Sequence, residues 1–180
     1  MIMSETGLEG LVVIENEVFY DERGYLSEVY KSNEFYDKFS FQNKLELEVT
    51  SQKGVLRGLH YQIEPYAQAK IVRVVSGEIL DVVVDIRKSS KTFGKHYTVK
   101  LNDIDKKQLY IPEGFAHGYY VLSEDAKMIY KMDNIYSMSN AKGIAYDDRT
   151  LNIDWKLFDN PLLSEKDSKL PTLEDAHLFE

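Results

Sequence analysis

The middle of the chain alternates short runs rich in Val, Ile and Tyr with turn residues, and this pattern predicts many short β-strands. The strand-like runs are residues 11–21, 69–88, 96–102, 108–113, 118–123 and 127–133. Gly, Pro, Asn and Asp separate them at short intervals, as in all-β domains. Ser76-Gly77 lies between two apolar runs, and we expect it to form a hairpin turn.

Helical patterning is weak and is confined to two short segments. Residues 33–39 (NEFYDKF) predict one short helix with Ser32 as its N-cap, and residues 164–167 predict a second. Many short antiparallel strands with little helix favour a barrel or a jelly roll. Such a roll has an open mouth and a partly filled interior, which suits a small-molecule site.

Length and charge limit the classes that need to be considered. A chain of 180 residues predicts a single domain over 1–180. The absence of cysteine excludes a disulfide framework, a thiol nucleophile and thiolate zinc sites, and is compatible with a reducing cytoplasm. The net charge of −8 argues against a nucleic-acid partner, although a local basic pocket for phosphate is still compatible with it. No apolar run approaches the ~20 residues of a membrane helix, and the N-terminus lacks a secretory-signal pattern, so we expect a cytoplasmic protein with no membrane partner.

An arginine and a histidine stand close together in residues 55–62 (VLRGLHYQ). Side chains an even number apart share one face of a strand, so His60 and Gln62 share a face directly. Arg57 joins that face only if Gly58 forms a bulge, which glycine permits. The alternative is that His60 is a hydrogen-bonded structural residue.

Three further polar side chains interrupt apolar strand patterns. Lys70 lies on the apolar face of its strand, where a lysine is costly unless it pairs, acts or sits at an edge. His117 follows a turn-rich segment, residues 112–118 (PEGFAHG), and is either presented to a site or incidental to the turn. Tyr130 is compatible with a core tyrosine or with an acid catalyst.

The remaining chemistry points to proton transfer. Closely spaced glycines of a nucleotide-binding loop and the G-x-S-x-G elbow do not occur, which removes most support for phosphoryl transfer, nicotinamide redox chemistry and serine hydrolysis. His60 has no second histidine two residues on, so we expect no metal site. A base, two cations and a phenol suit proton abstraction next to a carbonyl, with no cofactor required.

Six segments, in order along nearly the whole chain, resemble the dTDP-4-dehydrorhamnose 3,5-epimerase family. They are residues 19–24 (FYDERG), 55–62 (VLRGLHYQ), 67–74 (AQAKIVRV), 82–87 (VVVDIR), 111–118 (IPEGFAHG) and 163–167 (LSEKD). The resemblance implies an all-β cupin jelly roll with a few short peripheral helices, a homodimer, and no metal or cofactor. It also implies epimerisation at C3 and C5 of a nucleotide-linked 4-keto-6-deoxyhexose, on the way to a rhamnose-type sugar.

The resemblance further implies roles for individual side chains. His60 is similar to the catalytic base of the family, and Asp167 to the carboxylate that orients it. Tyr130 is similar to the acid on the opposite face of the sugar, and Lys70 to the group facing the C4 oxygen. The implied substrate-binding residues are Arg23, Glu28, Arg57, Gln62, His117 and Tyr136, with Arg23 and Glu28 reaching across the dimer.

The chain departs from the family pattern mainly around the substrate. Residues 45–49 (LELEV) stand where the family carries Gln and Asn, Leu26 replaces an aromatic residue, and Ala141 replaces a glutamate. The identity of the nucleotide and the number of carbons epimerised therefore stay open. The alternatives are an epimerase acting on one carbon of another nucleotide 4-ketosugar, a related keto-isomerase, a non-catalytic sugar-nucleotide-binding cupin, and a metal-dependent cupin oxygenase.

Overall fold

A computed structural model describes residues 1–180 and contains thirteen strands and one α-helix. The strands are β1 (Ile2–Glu5), β2 (Val12–Glu15), β3 (Val18–Asp21), β4 (Gly24–Ser27), β5 (Leu45–Gln52), β6 (Leu56–Gln62), β7 (Lys70–Ser76), β8 (Glu78–Asp85), β9 (His96–Asn102), β10 (Gln108–Ile111), β11 (Phe115–Val121), β12 (Asp125–Met132) and β13 (Ala141–Gly143). Helix α1 spans Ser32–Phe39, and a 3-10 turn spans Asp167–Lys169. None of the helical segments has the length and apolar character needed to cross a membrane.

Two antiparallel sheets form the body of the protein. One has six strands in the order β1-β2-β10-β7-β12-β5, and the other has five in the order β13-β6-β11-β8-β9. Strands β3 and β4 form a separate hairpin. Chain neighbours such as β7 and β8 belong to different sheets, so the chain crosses repeatedly between the two layers, as in a jelly roll. The predicted all-β roll is confirmed.

Three apolar clusters hold these layers together. The largest lies between the sheets and includes Val72 and Leu109 from one and Val83 and Tyr119 from the other. A second cluster covers the outer face of the five-stranded sheet with the C-terminal segment, which includes Trp155. In the third, α1 packs on the outer face of the six-stranded sheet. Strand β8 is buried on both faces, which explains its nearly continuous apolar sequence.

The predicted hairpin turn at Ser76-Gly77 is wrong. Strand β7 pairs with β10 and β12, whereas β8 pairs with β9 and β11. Gly77 instead carries the chain from one sheet to the other, with φ of +82°. A Cβ at this position would lie 2.1 Å from the Asp125 carbonyl oxygen, so only glycine fits. Two apolar runs around a Ser-Gly pair are compatible with either connection.

The short helix over 33–39 is confirmed, but its predicted cap is wrong. Ser32 is the first helical residue, while Lys31 occupies the N-cap with extended backbone and makes no side-chain cap bond. The second predicted helix, over 164–167, is also misplaced. A 3-10 turn begins at Asp167 instead, and Ser164 Oγ accepts a bond from the Asp167 backbone N–H at 3.0 Å.

Candidate active site

A cavity of about 380 Å³ opens between the two sheets and is lined from strands β5, β6, β7, β11 and β12. Its volume lies in the range of small-molecule sites. The sequence-predicted residues that line it are His60, Lys70, Tyr130, Arg57, Gln62, His117 and Tyr136. The fold therefore brings together residues from widely separated segments of the chain.

A bulge at Gly58 places Arg57 and His60 in the same cavity. His117 on β11 pairs with His60, but Tyr119 pairs with Arg57, so the register shifts between the two pairs. Gly58 has φ of +127°, and a Cβ there would lie 2.5 Å from the Gly118 Cα atom. Glycine is required at this position both for the backbone angle and for the close approach of β11. The expectation that Arg57 joins the His60 face only through a bulge is confirmed.

His60 is hydrogen-bonded to a buried carboxylate. The distance from His60 Nε2 to Asp167 Oδ1 is 2.7 Å, and the Asp167 side chain is only 4% exposed. Burial raises the pKa of Asp167, but hydrogen bonds from His60, the Gly58 backbone and Ser164 together hold it below its ordinary value. Because an ionised carboxylate only accepts hydrogen bonds, Nε2 carries the proton and Nδ1 is the free ring nitrogen.

Tyr130 and Lys70 occupy the opposite wall, on the six-stranded sheet. Their strands β12 and β7 are neighbours, with Met132 paired to Lys70. Burial raises the pKa of Tyr130 well above its ordinary value, so its hydroxyl stays protonated at neutral pH. Burial lowers the pKa of Lys70 to about 8, and the negative charge of Asp81 partly opposes this change. The Lys70 Nζ atom lies 3.5 Å from the His60 carbonyl oxygen.

A second histidine–carboxylate pair lies deeper in the site. His117 Nε2 lies 2.9 Å from Asp81 Oδ2, and both side chains are buried. The His117 ring is 5.8 Å from the Tyr130 ring, centroid to centroid. The sequence analysis missed Asp81. Asp81 could have been recognised because it is a carboxylate within the apolar run of β8, and a buried charge requires a partner.

The cavity is locally basic although the whole chain is acidic. Arg57 Nε donates to Ser51 Oγ at 3.1 Å, and Ser51 in turn bonds the Tyr119 hydroxyl at 2.9 Å. The sequence analysis also missed Lys142 and Lys166, which line the same cavity. Several cations around one opening favour an anionic ligand.

Two predicted binding residues lie outside this cavity in the single chain. Arg23 is 85% exposed at the tip of the β3–β4 hairpin and pairs with Asp21. Glu28 pairs with Lys31 at 2.5 Å. Their predicted contact with substrate across a dimer stays a prediction.

The titratable side chains do not form a metal centre. No group of three or more His, Asp or Glu residues is close enough together to hold a metal ion. The histidines at the cavity are each paired with a single carboxylate instead.

Comparison with known proteins identifies the family. The sequence profile of the dTDP-4-dehydrorhamnose 3,5-epimerases matches residues 5–175. The chain is 47% identical over 183 residues to the dTDP-4-dehydrorhamnose 3,5-epimerase of Shigella flexneri, with 99% of each chain covered.

Solved structures agree in fold over nearly the full length. A dTDP-6-deoxy-D-glucose-3,5-epimerase from Legionella pneumophila, in complex with dTDP-4-keto-L-rhamnose, is similar at 39% identity and a TM-score of 0.92, covering 97% of this chain and 93% of that one. A 3′-monoepimerase from Streptomyces bikiniensis, in complex with dTDP-quinovose, is similar at 31% identity and a TM-score of 0.89, covering 94% and 86%. The chain belongs to the dTDP-4-dehydrorhamnose 3,5-epimerase family.

Proposed function

We propose that this protein is a cofactor-independent epimerase that inverts C3 and C5 of a dTDP-4-keto-6-deoxyhexose in the biosynthesis of a rhamnose-type sugar. The observation that carries the proposal is the placement of a base and an acid on opposite walls of one cavity. His60 projects from the five-stranded sheet, and Tyr130 from the six-stranded sheet. Inversion at carbon requires that a proton leave one face and return on the other.

His60 acts as the base in this proposal. The 4-ketone acidifies the protons on C3 and C5 alike, so one base serves both carbons if the sugar ring turns between steps. Free Nδ1 takes the proton while the C–H bonding electrons move into the enolate. The positive imidazolium is stabilised by the Asp167 carboxylate 2.7 Å from Nε2.

Lys70 and Tyr130 complete the reaction. Charge develops on the C4 oxygen, and a protonated Lys70 on the same wall as Tyr130 stabilises the enolate. Tyr130 then donates its proton to carbon from the opposite face. Its raised pKa makes the resulting phenolate unstable, which favours rapid recovery of a proton.

The nucleotide part of the substrate is assigned to the outer part of the same cavity. Arg57 suits a diphosphate because its guanidinium offers forked donors. Tyr136 is 56% exposed and lines the cavity, where its ring is available for stacking. His117, with its buried Asp81 partner, is assigned a substrate contact near the Tyr130 ring.

The proposal includes a homodimer in the cytoplasm. The β3–β4 hairpin exposes Phe19, Tyr20, Tyr25 and Leu26, each more than half exposed. A second copy of the chain would cover this apolar surface and bring Arg23 to the partner's site. Light scattering on the purified protein tests the dimer, and a monomer at assay concentration would contradict it.

The tests of the catalytic roles are His60→Ala and Tyr130→Phe, assayed in heavy water with dTDP-4-keto-6-deoxyglucose. His60→Ala is expected to lose turnover by ~10²–10⁴-fold with fold and nucleotide affinity kept, because general bases contribute about that much. Tyr130→Phe is expected to lose epimerised product more than proton exchange, because removal of the proton precedes its return. Tyr97→Phe, on β9 outside the cavity, is the control. More than about a hundredth of the activity in His60→Ala, or equal losses in Tyr130→Phe, would contradict these roles.

A second candidate is epimerisation at one carbon only. The similarity of the chain to a 3′-monoepimerase of the same fold supports this second candidate. Proton exchange at C3 without exchange at C5 would identify this activity.

A further inference from the structure

The loop of residues 133–140 carries Tyr136 to the cavity, yet its other large apolar side chains are open to solvent. It joins β12 to β13. Ile135 and Met138 are 53% and 81% exposed, so apolar packing of these side chains holds the loop only weakly. The position of the Tyr136 ring must therefore be maintained by polar contacts.

Gln62 makes hydrogen bonds on both sides of Tyr136. Its Nε2 donates to the carbonyl oxygens of Ile135 at 3.1 Å and Tyr66 at 2.7 Å, and its Oε1 accepts from the Ser137 backbone N–H at 2.7 Å. Carbonyls need donors and the N–H needs an acceptor, so this orientation of the amide is the only one that satisfies all three.

Gln68 holds the same loop from a second point. Its Nε2 donates to the carbonyl oxygens of Asn134 at 2.7 Å and Ile135 at 3.1 Å. Asn134 returns a bond from its own Nδ2 to the Ala67 carbonyl oxygen at 3.1 Å. Gln62 and Gln68 are only 5% and 8% exposed, so water competes poorly for these bonds.

We propose that Gln62 and Gln68 are positioning residues that clamp the 134–137 backbone and thereby fix the Tyr136 ring against the nucleotide-sugar. The proposal rests on the proposed function only for the substrate contact of Tyr136. Three hydrogen-bonding positions of the Gln62 amide are already occupied by backbone groups. In this proposal Gln62 acts on the substrate through the loop, and the direct substrate contact expected from the family resemblance stays a prediction.

The expected effect is on substrate affinity more than on chemistry. Gln62→Met keeps the side-chain volume and removes all three bonds, which frees the loop on both sides of Tyr136. We expect KM to rise about tenfold, because ordering the freed loop on binding costs about as much free energy as one net hydrogen bond contributes. We expect kcat to change less than about threefold. Gln68→Met is expected to change KM in the same direction, because it frees Ile135 and Asn134.

A double-mutant cycle with Tyr136→Ala tests whether the effect passes through the ring. In the Tyr136→Ala background, Gln62→Met is expected to add no further rise in KM, because coupled residues are not additive. The control is Asp148→Ala. The Asp148 side chain is buried and also accepts three backbone N–H bonds, but neither it nor its partners line the cavity. It is expected to lower stability without changing KM.

The hydrogen-exchange rate of the Ser137 amide measures whether Gln62 holds the loop in the absence of substrate. Its N–H donates to Gln62 Oε1, so we expect exchange at least about tenfold faster in Gln62→Met than in the wild type, because loss of the bond favours local opening. Unchanged exchange, or a KM effect that adds fully to that of Tyr136→Ala, would overturn the proposal. If Gln62→Met fails to fold, Gln68→Met with exchange at the loop amides decides the same question. An inactive wild type would refute the proposed function, and the exchange measurement would still test the clamp.

Discussion

Replacing Asp167 by asparagine removes a negative charge beside His60 while keeping the side-chain shape. The carboxylate is buried and lies 2.7 Å from the histidine ring nitrogen. The substituted amide would still accept the hydrogen bond through its oxygen. The Asp167→Asn variant therefore isolates the contribution of charge to stabilising the imidazolium that forms when a substrate proton is taken.

The magnitude follows from the geometry of this pair. A hydrogen bond to a charged group contributes about 1.5–3 kcal/mol, and each change of about 1.36 kcal/mol in the barrier changes the rate tenfold. The His60 side chain is 37% exposed, so solvent screens part of the interaction. We expect kcat to fall about 10- to 30-fold, which is less than the loss expected for His60→Ala.

The assay is the initial rate of C5 inversion followed by NMR at saturating substrate. Asp148→Asn is the matched control, because Asp148 is a buried carboxylate that binds backbone N–H groups outside the cavity. It is expected to keep kcat within about twofold. Asp167→Asn with kcat within about twofold of the wild type would refute the claim that the carboxylate charge assists the base.

The same carboxylate affects stability in acid. The pKa of Asp167 is lower in the folded protein than its ordinary value. The ionised Asp167 carboxylate therefore contributes stability above the unfolded-state pKa of about 3.9, and this contribution is lost as the pH falls through the lower folded-state value. Thermal denaturation of Asp167→Asn is expected to depend less on pH in that acidic range than denaturation of the wild type.

Two further predictions concern the opposite wall and the bulge. The pKa of Lys70 is lowered to about 8, so wild-type kcat/KM should fall above that pH. Lys70→Met should be about 100-fold less active, because it removes a group that stabilises the oxyanion, and its kcat/KM should lack this fall at alkaline pH. The free energy of unfolding of the wild type should rise between about pH 8 and pH 10.5, because in this range Lys70 is protonated in the unfolded chain but not in the folded one. Thermal denaturation at a series of pH values measures this rise, and an identical rise in Lys70→Met would contradict it. Gly58→Ala forces a Cβ to within 2.5 Å of the Gly118 Cα atom and should cost about 3 kcal/mol or more in urea unfolding; a change below about 1 kcal/mol would contradict the close approach.

The strands were predictable because hydrophobic patterning is local. The run at 96–102 coincides with β9, and the run at 127–133 overlaps β12. The sequence also predicted a bulge at Gly58 if Arg57 and His60 were to share one face, because side chains three residues apart point to opposite faces of a regular strand. The pairing between strands was not predictable. Ser76-Gly77 shows the reason, because a hairpin turn and a crossover between sheets have the same local sequence pattern.

The site was only partly predictable from the residues themselves. Asp167 is 107 positions from His60, and nothing in its local sequence distinguishes it from a solvated charge, so only the family resemblance identified it. The expected contact of Gln62 with substrate stays a prediction, while its hydrogen bonds to the 134–137 loop could not be predicted because they depend on tertiary structure. Asp81 could have been found, because an isolated carboxylate within an apolar strand requires a buried partner.

The acidic C-terminal segment, residues 173–180, is a further case in which tertiary contacts decide the outcome. Short polar chain ends usually fray, and the sequence alone leaves open whether this one packs. Instead, Tyr61 donates a hydrogen bond to the His177 carbonyl oxygen at 2.6 Å, and Phe179 pairs with Arg87. Leu173 is buried against the five-stranded sheet. Apolar residues at 173, 178 and 179 were the sequence signal that favoured packing.

Solvent deuterium exchange tests the central claim most directly. The wild-type protein is incubated in heavy water with dTDP-4-keto-6-deoxyglucose, and the C3 and C5 protons of the sugar are followed by NMR. If one base serves both carbons, the wild type incorporates deuterium at C3 and at C5. His60→Ala is then expected to lose the exchange at both carbons. Exchange at C3 alone would identify a single-site epimerase. Exchange at neither carbon, with the nucleotide-sugar bound, would contradict the assignment of His60 as a base that acts on this substrate.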